Sequence, residues 1–284
     1  MPEQTSASSS HSSNAQSSPY NATLIERIDL NPMLALFRVR FNDGSVPEFT
    51  PGQFATLGLI DPVQPPPSDN PRRKNRGPKL IRRAYSIASP STQRDYLEFY
   101  IVLVEEGKLT PLLWKLQAGD QIFMGEKIAG HFTLDNIPHD KNLVMIATGT
   151  GLAPFYSMYE TYKNDNRWNR FILIECTRYS EDLGYLQTIR DLDDKDPKLT
   201  YFPCVTRDPE DSPFTGHRGR VQTIMPADIF KQTFGFDLTA ETSQVFICGN
   251  PQMIDQIEED LTTRGFVTKN RENPDGNIHF ERYW

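Results

Sequence analysis

The stretch Arg82-Arg83-Ala84-Tyr85-Ser86-Ile87-Ala88-Ser89-Pro90 places a guanidinium, an aromatic ring and a hydroxyl within four residues. Its neighbours favour β-structure, and strand side chains alternate between faces, so Arg83 and Tyr85 share one face and Ser86 turns to the other. An arginine fork can bind a pyrophosphate, a tyrosine ring can stack, and a serine hydroxyl can approach a ring nitrogen. The stretch therefore predicts a site for a flat aromatic ligand with a phosphate tail. The alternative is a solvated edge strand.

The chain from residue 20 to residue 137 consists of short β-prone runs separated by turn residues. In one run, Phe37 and Val39 alternate with arginines, as expected for a strand with one buried face. Strands are predicted at 23–29, 34–41, 53–60, the quoted stretch, 96–104, 121–124 and near 130–134. A helix is predicted over 112–117, with Thr110 as N-cap and Pro111 at the first helical position. Together these elements predict an antiparallel β-barrel.

From residue 138 to residue 284 the pattern changes to strands that alternate with helices. Strands are predicted at 143–147, 171–176, 199–205 and 245–248, and helices at 152–163, at 181–191 and after Asn250, which serves as N-cap. Such alternation is typical of a parallel sheet that binds ligands at the carboxyl ends of its strands. The sequence thus predicts two domains, a β-barrel over 20–137 and an α/β nucleotide-binding domain over 138–284.

Composition excludes several classes of function. The 284 residues are 37% hydrophobic, enough for two cores. The three cysteines are dispersed and form no C-x-x-C pair, which argues against a disulfide framework, a metal site or an iron–sulfur centre. Any electron that the protein transfers must therefore be carried by another cofactor. There is no apolar run of membrane-spanning length and no secretory pattern at the N-terminus, so a cytoplasmic protein without membrane association is expected.

Two segments lack the pattern of a folded core. Residues 1–19 are mostly small and polar and are predicted to form a disordered tail. Residues 61–79 hold six of the 22 prolines and predict an irregular insertion. Between Asp61 and Arg83 there are seven basic and two acidic residues, although the chain carries a net charge of −7. A local basic patch on an acidic protein indicates a specific anionic partner rather than nucleic acid. The alternative is a solvated loop.

Other candidate site residues lie in the second half of the chain. Thr148-Gly149-Thr150-Gly151 forms a glycine turn between a strand and a helix, neither a P-loop nor a complete G-x-G-x-x-G; the alternative is a plain α/β corner. Cys248 ends a strand at the expected crevice, with an inert buried thiol as the alternative. A terminal Tyr283-Trp284 needs a covering surface, whether a ligand or the core. Arginines follow three predicted strand ends or turns, where surface charge is the alternative: Arg178, Arg207 and Arg220.

Arg83-Ala84-Tyr85-Ser86 resembles the flavin-binding signature of the ferredoxin–NADP reductase family. Four later segments resemble the family in the same order: Phe99-Tyr100-Ile101-Val102 with Gly107-Lys108-Leu109-Thr110, then Ala147–Gly151, then Cys248-Gly249-Asn250-Pro251-Gln252-Met253, and finally Glu281-Arg282-Tyr283-Trp284. The last segment is similar to bacterial ferredoxin/flavodoxin–NADP reductases that end in Tyr-Trp. The resemblance extends from about residue 20 to residue 284.

The resemblance implies an enzyme with FAD in the barrel and NADP(H) on the α/β domain. Such an enzyme passes electrons to ferredoxin or flavodoxin, and a monomer is expected. The implied FAD-binding residues are Arg83, Ala84, Tyr85, Ser86, Tyr100, Ile101, Val102, Lys108, Leu109, Thr110, Thr150, Tyr283 and Trp284. The implied NADP-binding residues are Thr177, Arg178, Arg207, Arg220 and Gly249, with Tyr185 as a further companion. The basic segment Arg72–Lys79 is then a candidate docking site for the carrier.

The resemblance also assigns roles. Arg83 and Tyr100 would hold the FAD phosphates together with residues 108–110, and Tyr85 and Tyr283 would sandwich the flavin ring, with Trp284 against the adenine. The arginines at 178 and 207 would surround the adenosine 2′-phosphate. Three residues are the implied catalytic groups, because one borders the nicotinamide and two form a proton path towards flavin N5: Cys248, Ser86 and Glu281.

Three other functions remain open on the sequence. The chain could serve an oxygenase or another acceptor on the same architecture. It could be a non-enzymatic electron-transfer subunit, although such subunits carry a cysteine cluster that is not found here. A plain nucleotide-binding or interaction protein would lack the yellow colour of a flavoprotein.

Overall fold

The structure is a computed structural model that describes residues 18–63 and 78–283. Three parts of the chain lie outside the described residues: most of the predicted N-terminal tail, most of the predicted insertion at 61–79, and Trp284. Within the described ranges the strands form two six-stranded sheets, one antiparallel and one parallel. The predicted fold class is therefore confirmed.

The antiparallel sheet has the strand order β4-β3-β6-β1-β2-β5. A bridge between Ile87 and Phe99 joins its two edges, which closes the sheet into a barrel. The alternation expected for β2 is observed, since Phe37 and Val39 are buried and Arg40 is exposed. The strands are β1 (Ala22–Asn31), β2 (Leu34–Phe41), β3 (Phe54–Ile60), β4 (Leu80–Ser86), β5 (Leu97–Val102) and β6 (Gln121–Met124), and a short helix, α1, spans Thr110–Leu113.

The parallel sheet has the order β10-β9-β8-β7-β11-β12, so the chain builds outward from β7 in one direction and then in the other. The strand order reverses between β7 and β11, where open α/β sheets bind their ligands. Its strands are β7 (Asn142–Thr148), β8 (Arg170–Thr177), β9 (Leu199–Val205), β10 (His217–Arg218), β11 (Ser243–Gly249) and β12 (Ile278–Arg282). Its helices are α2 (Leu152–Tyr162), α3 (Leu186–Asp193), α4 (Ala227–Phe234) and α5 (Pro251–Thr263).

The barrel and the parallel sheet share one hydrophobic cluster. Leu36 and Tyr100 of the barrel belong to it together with Phe155 of α2 and Ile189 of α3. Helices α4 and α5 cover the opposite face of the parallel sheet. Because apolar burial stabilises by roughly 25 cal/mol per Å², this shared cluster holds the two sheets against each other. No helix of the described residues has the length and hydropathy needed to cross a membrane.

The strand predicted near 130–134 is wrong. The segment makes only an isolated bridge, from Ala129 to Phe54, and Gly130 has a φ of +121°, which interrupts an extended chain. Phe132 and Leu134 are buried in the cluster shared with the α/β half. The segment therefore crosses between the two sheets instead of extending the barrel.

The helices predicted at 181–191 and 112–117 also differ from the structure. In place of one helix at 181–191, the structure has a 3₁₀ turn at Ser180–Asp182 followed by α3. Between them Gly184 lies against the Tyr100 hydroxyl, which is only 2.6 Å from where a Cβ would stand. Helix α1 begins at Thr110, whose side chain does not cap it. The Thr110 hydroxyl instead bonds both backbone groups of Val104, which fixes the turn before α1. The sequence patterns missed α4, β10 and β12.

Candidate functional site

A chain of three side chains joins the barrel to the parallel sheet at the end of β4. The Tyr283 hydroxyl donates to Ser86 Oγ at 2.8 Å, and Ser86 Oγ donates to Glu281 Oε2 at 3.3 Å. Ser86 comes from the barrel, whereas Glu281 and Tyr283 come from the last strand of the other sheet and the residue after it. The structure thus brings together residues that are about 195 positions apart in the chain.

Cys248 lies beside these three hydrogen-bonded side chains. It is fully buried on β11 and pairs in register with Glu281 of β12 on one side and Ala147 of β7 on the other. The Tyr283 hydroxyl also interacts with its thiol. The site therefore stands at the reversal of strand order, at the carboxyl ends of β7 and β11.

Two glycines allow the backbones at this point to approach each other. A Cβ on Gly151 would lie 2.5 Å from the carbonyl oxygen of Cys248, and one on Gly249 would lie 2.2 Å from Thr148 Oγ1. The Thr148 hydroxyl accepts the backbone N–H of Asn250 at 2.8 Å and so links the turn after β7 to the start of α5. Sequence reasoning placed Thr148 in the glycine turn but gave it no role of its own. Thr148, Gly149 and Thr150 are half-buried, and a glycine turn of this kind suits a ligand that needs close approach.

Burial sets the protonation of the cluster. It raises the pKa of the Glu281 carboxyl, which the hydrogen bond from Ser86 only partly opposes. Burial, reinforced by Glu281, raises the pKa of the Cys248 thiol well above its ordinary value. Burial likewise raises the pKa of Tyr283 well above the usual range and that of Tyr85 to about 12. At neutral pH the thiol and both phenols are therefore protonated, and Glu281 is the group of this cluster that can exchange a proton.

A cleft of about 450 Å³ opens on the barrel beside the quoted signature stretch. Arg83 is exposed in it, and Tyr85, two residues further on, is half-buried between the cleft and Ser86. Four basic side chains and one carboxylate line the cleft together with apolar residues: Lys79, Arg82, Arg83, Lys108 and Asp61, with Leu80 and Ile81. Lys79 pairs with Asp61 at 2.9 Å, so the net charge of the lining is positive.

A second basic group lies at the carboxyl ends of β8 and β9. Arg178 and Arg207 follow these strands, both are exposed, and the Arg207 N–H donates to the Arg178 carbonyl at 2.8 Å. Arg220 is exposed at the start of the next 3₁₀ turn. Within the described parts of the chain, these three side chains form no ion pair. They are therefore available to an anion.

Comparison with known proteins decides the family. A family model described as "Oxidoreductase NAD-binding domain" matches residues 145–259. The flavodoxin/ferredoxin–NADP reductase of Escherichia coli K12 is 34% identical over 88% of this chain and 93% of its own length. The enzyme of the same name from Buchnera aphidicola subsp. Schizaphis graminum is 35% identical with the same coverage. The chain belongs to the flavodoxin/ferredoxin–NADP reductase family. It is an oxidoreductase of this kind.

A solved structure resembles the whole reductase. The ferredoxin NADP⁺ reductase from Neisseria gonorrhoeae, described with bound FAD and NADP, matches with a TM-score of 0.78 and 26% identity. The match covers 94% of this chain and 100% of that one. The similarity therefore includes both sheets and their arrangement.

Several residues predicted for the FAD site of the reductase are not placed to bind through their side chains. The Tyr100 hydroxyl donates to the Asp182 carbonyl at 3.2 Å and accepts the Gly184 N–H at 2.9 Å, inside the junction of the two sheets and away from the open cleft. Ile101 and Leu109 are buried in the barrel core, and the Thr110 hydroxyl is occupied by Val104. The role predicted for Tyr100 at the phosphates stays a prediction, while its hydroxyl is held here by the junction of the two sheets.

Two companions predicted for the NADP site of the reductase are also occupied. The buried Thr177 hydroxyl donates to the Tyr179 carbonyl at 2.8 Å, and the Thr177 carbonyl accepts from the N–H and the hydroxyl of Thr206. The Tyr185 hydroxyl donates to Glu98 Oε1 of the barrel at 2.7 Å. Tyr185 is therefore a junction residue, and its part in the NADP site stays a prediction. Thr150 and Val102 remain half-buried beside the site region.

Proposed function

We propose that this reductase holds FAD against the barrel and NADP(H) on the parallel sheet, and transfers electrons between NADPH and ferredoxin or flavodoxin. The observation that carries the proposal is the junction of Ser86, Glu281, Tyr283 and Cys248 at the reversal of strand order. Bound FAD supplies the exchange between one hydride from NADPH and two single electrons for a carrier. The residues of the protein bind the two nucleotides, align their rings and supply the proton.

The positive cleft fits the phosphate tail of FAD. Arg83 and Lys108 line it from two separate segments, and guanidinium and ammonium groups bind phosphate oxygens. Tyr85 and Tyr283 supply the aromatic surfaces for the ring, since each is close to Ser86 in the chain or in space. The side chains of Ile101, Leu109 and Thr110 are buried, so these residues would contact FAD through their backbones.

The parallel sheet fits NADP(H) by its glycines and its arginines. Gly151 and Gly249 leave room where a Cβ would strike the neighbouring backbone or hydroxyl. Arg178 and Arg207 are joined through their backbones, and two neighbouring arginines suit one doubly charged phosphate, which NADP(H) has and NAD(H) lacks. Arg220 adds a third positive charge to the same edge of the sheet.

Glu281 holds the exchangeable proton in this proposal. Burial raises the pKa of the Glu281 carboxyl, which favours its protonated form, and Ser86 lies between Glu281 and Tyr283. The neutral Cys248 thiol packs beside the reacting rings without bringing a charge to them. Hydride transfer requires that the two rings be in contact and aligned, so these side chains contribute to the rate through their positions.

The nucleotide assignment is tested by Arg178→Ala. The substitution removes a charge-assisted contact to the 2′-phosphate, so the KM for NADPH should rise by about 10-fold or more while that for NADH changes little. Arg271→Ala is the matched control, because Arg271 is an exposed arginine of the same half. Equal losses for NADPH and NADH would remove Arg178 from the phosphate site. A purified protein that is colourless and takes up no FAD would end the whole proposal.

The carrier assignment rests on the basic segment, most of which lies outside the described residues. Replacing Arg72, Arg73, Lys74 and Arg76 with Ser should raise the KM for ferredoxin or flavodoxin and flatten its salt dependence. Reduction of a small dye by NADPH is the internal control and should not change. Unaltered carrier kinetics would exclude docking at this segment. A cytoplasmic location, a monomeric state and the domain bounds at residues 20, 137 and 138 remain predictions from the sequence.

A further inference from the structure

Two cysteines that the proposed function does not use face each other on neighbouring strands. Cys176 of β8 and Cys204 of β9 are register partners in the parallel sheet. Both side chains enter the same hydrophobic cluster under α4 and α5. Neighbouring strands lie about 4.8 Å apart, and disulfides span Cα distances of roughly 4.4 to 6.8 Å. The backbone therefore already has the spacing of a disulfide.

The two thiols differ in their surroundings. The Cys176 Sγ donates to the Gly219 carbonyl and the Cys204 Sγ donates to the Phe202 carbonyl, each at 3.8 Å. The neighbouring Cys204 thiol, the N–H of Val221 and the charge of Arg220 lower the pKa of Cys176, whereas the neighbouring Cys176 thiol and burial raise the pKa of Cys204. Cys204 is fully buried, whereas 6% of Cys176 is exposed. Cys176 is thus the more acidic and the less deeply buried of the two thiols, and Cys204 is the neighbouring second thiol that a redox-sensing pair needs.

We propose that Cys176 and Cys204 form an oxidation site that closes to a disulfide and weakens the binding of NADP(H). A peroxide is the class of oxidant that fits a site with so little access, because it is small and uncharged. The Cys176 thiolate attacks one peroxide oxygen, the O–O bond breaks, and Cys176 becomes a sulfenic acid as hydroxide leaves. The Cys204 thiol then attacks that sulfur, and water leaves. In sum, two thiols and one hydrogen peroxide give one disulfide and two waters, and a dithiol reductant reverses the change.

The link to the nucleotide is the position of the three arginines, and this half of the inference rests on the proposed function. Arg178 follows Cys176 by two residues, Arg207 follows Cys204 by three, and Arg220 stands between Gly219 and Val221. The carbonyl of Gly219 is 3.8 Å from Cys176 Sγ. Bonded sulfurs are about 2.05 Å apart, so closure moves both sulfurs and changes the contact between Cys176 Sγ and the Gly219 carbonyl, which directly precedes Arg220.

The sequence makes the disulfide easy to assign. Trypsin separates the three cysteines into different peptides, residues 171–178 with Cys176, 199–207 with Cys204 and 232–264 with Cys248. The FAD-loaded protein is treated with hydrogen peroxide, its remaining thiols are alkylated, and the digest is analysed by mass spectrometry without reduction. Peptides 171–178 and 199–207 should appear joined, lighter by two hydrogens, and should separate after dithiothreitol. Their absence as a joined pair would overturn the proposal.

The effect on the nucleotide is measured on the same samples. Oxidation should raise the KM for NADPH by about 5-fold or more, and dithiothreitol should restore it. Cys204→Ala and Cys176→Ala should keep the KM of the reduced protein and lose its sensitivity to peroxide. A joined peptide with unchanged NADPH kinetics would refute the coupling and leave a disulfide that has no effect on the nucleotide. If the reduced protein does not use NADPH at all, the proposed function fails, while the peptide result still decides the disulfide. That mapping uses the native chain, so it does not depend on either variant folding.

Discussion

Ser86 of the barrel forms one hydrogen bond to each of two residues from the other half of the reductase. Its hydroxyl accepts from Tyr283 and donates to Glu281, so its orientation is set by two partners from the opposite sheet. Only 8% of Ser86 is exposed. A change at any of these three residues therefore alters the hydrogen bonding of the other two.

Glu281→Gln should lower the rate of NADPH oxidation with a dye acceptor by about 10-fold or more. The glutamine amide keeps the shape of the carboxyl group and can accept the hydrogen bond from Ser86, but it has no titratable proton. Because burial raises the pKa of Glu281, the wild-type rate should also fall as pH rises past that pKa, and the variant should lose this fall. Glu259→Gln, an exposed change on α5, is the control. An unchanged rate and pH profile would exclude Glu281 from proton exchange.

Glu175 on β8 has a fully buried carboxyl group with a raised pKa. Burial raises its pKa from 4.5 to about 8, although the Tyr201 hydroxyl donates to Oε2 at 2.5 Å. Its Oε1 has no hydrogen-bond partner among the described residues. Since the folded state holds this proton more tightly than the unfolded chain does, the free energy of unfolding should fall as pH rises from about 4.5 to about 8.

Glu175→Gln should remove that part of the pH dependence, because the amide imitates the protonated carboxyl. The melting temperature of the variant should equal that of the wild type near pH 4.5 and exceed it by about 2 °C or more at pH 8. Scanning both proteins over this range by calorimetry cancels the other titrating groups in the difference. A constant difference at all pH values would contradict the raised pKa.

At the scale of elements, the turn after β7 and the start of α5 form one unit. The side chain of Asn250 accepts the N–H of Met253 at 3.2 Å as N-cap of α5, and its own N–H donates to Thr148 at 2.8 Å. Pro251 follows at the first helical position, where its missing N–H has no cost. Helix α5 is amphipathic, with Met253, Ile257 and Leu261 buried against the sheet. The cap thus sets where a packed helix begins beside the candidate site.

Asn250→Ala should destabilise the protein by about 1 kcal/mol, since it removes one cap hydrogen bond. Asn250→Asp is the matched control, because aspartate caps as well as asparagine. The two variants are compared by denaturant midpoint, with the KM for NADPH as a second readout. Equal midpoints for the alanine variant and the wild type would show that the cap contributes nothing to stability.

At the scale of the whole molecule, the junction of barrel and parallel sheet is held by buried polar contacts as well as by a shared core. Glu98 of β5 accepts from Tyr185 at 2.7 Å through one oxygen and pairs with Arg38 at 2.7 Å through the other. Tyr100 adds hydrogen bonds to the backbone of Asp182 and Gly184. These contacts fix the loop before α3, which connects to the strand end that carries Arg178.

Tyr185→Phe should lower stability by about 1–3 kcal/mol, because it leaves an oxygen of the buried Glu98 without its donor. Tyr156→Phe is the matched control, since the Tyr156 ring lies 4.5 Å from that of Tyr185 and its hydroxyl has no hydrogen bond among the described residues. The denaturant midpoints of both variants are compared with the wild type. If the two phenylalanine changes cost the same, the hydrogen bond to Glu98 does not hold the junction.

Periodicity and turn residues predicted most elements within a few residues, because those signals are local. Strands β2, β6 and β9 and the Asn250 cap follow from alternation, β-propensity and capping chemistry in the sequence itself. Apart from the elements that were missed, two errors occur where a contact from the other half overrides local preference. Gly184 under Tyr100 interrupts the helix predicted at 181–191, and Phe132 buried across the junction prevents a strand at 130–134.

The sequence by itself determined the two-sheet architecture and the residue types of the candidate site, since these depend on patterns a few residues long. Only the tertiary structure decided that Ser86 meets Glu281 and Tyr283, that the hydroxyls of Tyr100 and Tyr185 hold the junction, and that Cys176 faces Cys204. The physical reason is that a hydrogen bond or a thiol contact depends on distance in space. Chain folding sets that distance by packing whole sheets against each other, which no local pattern records.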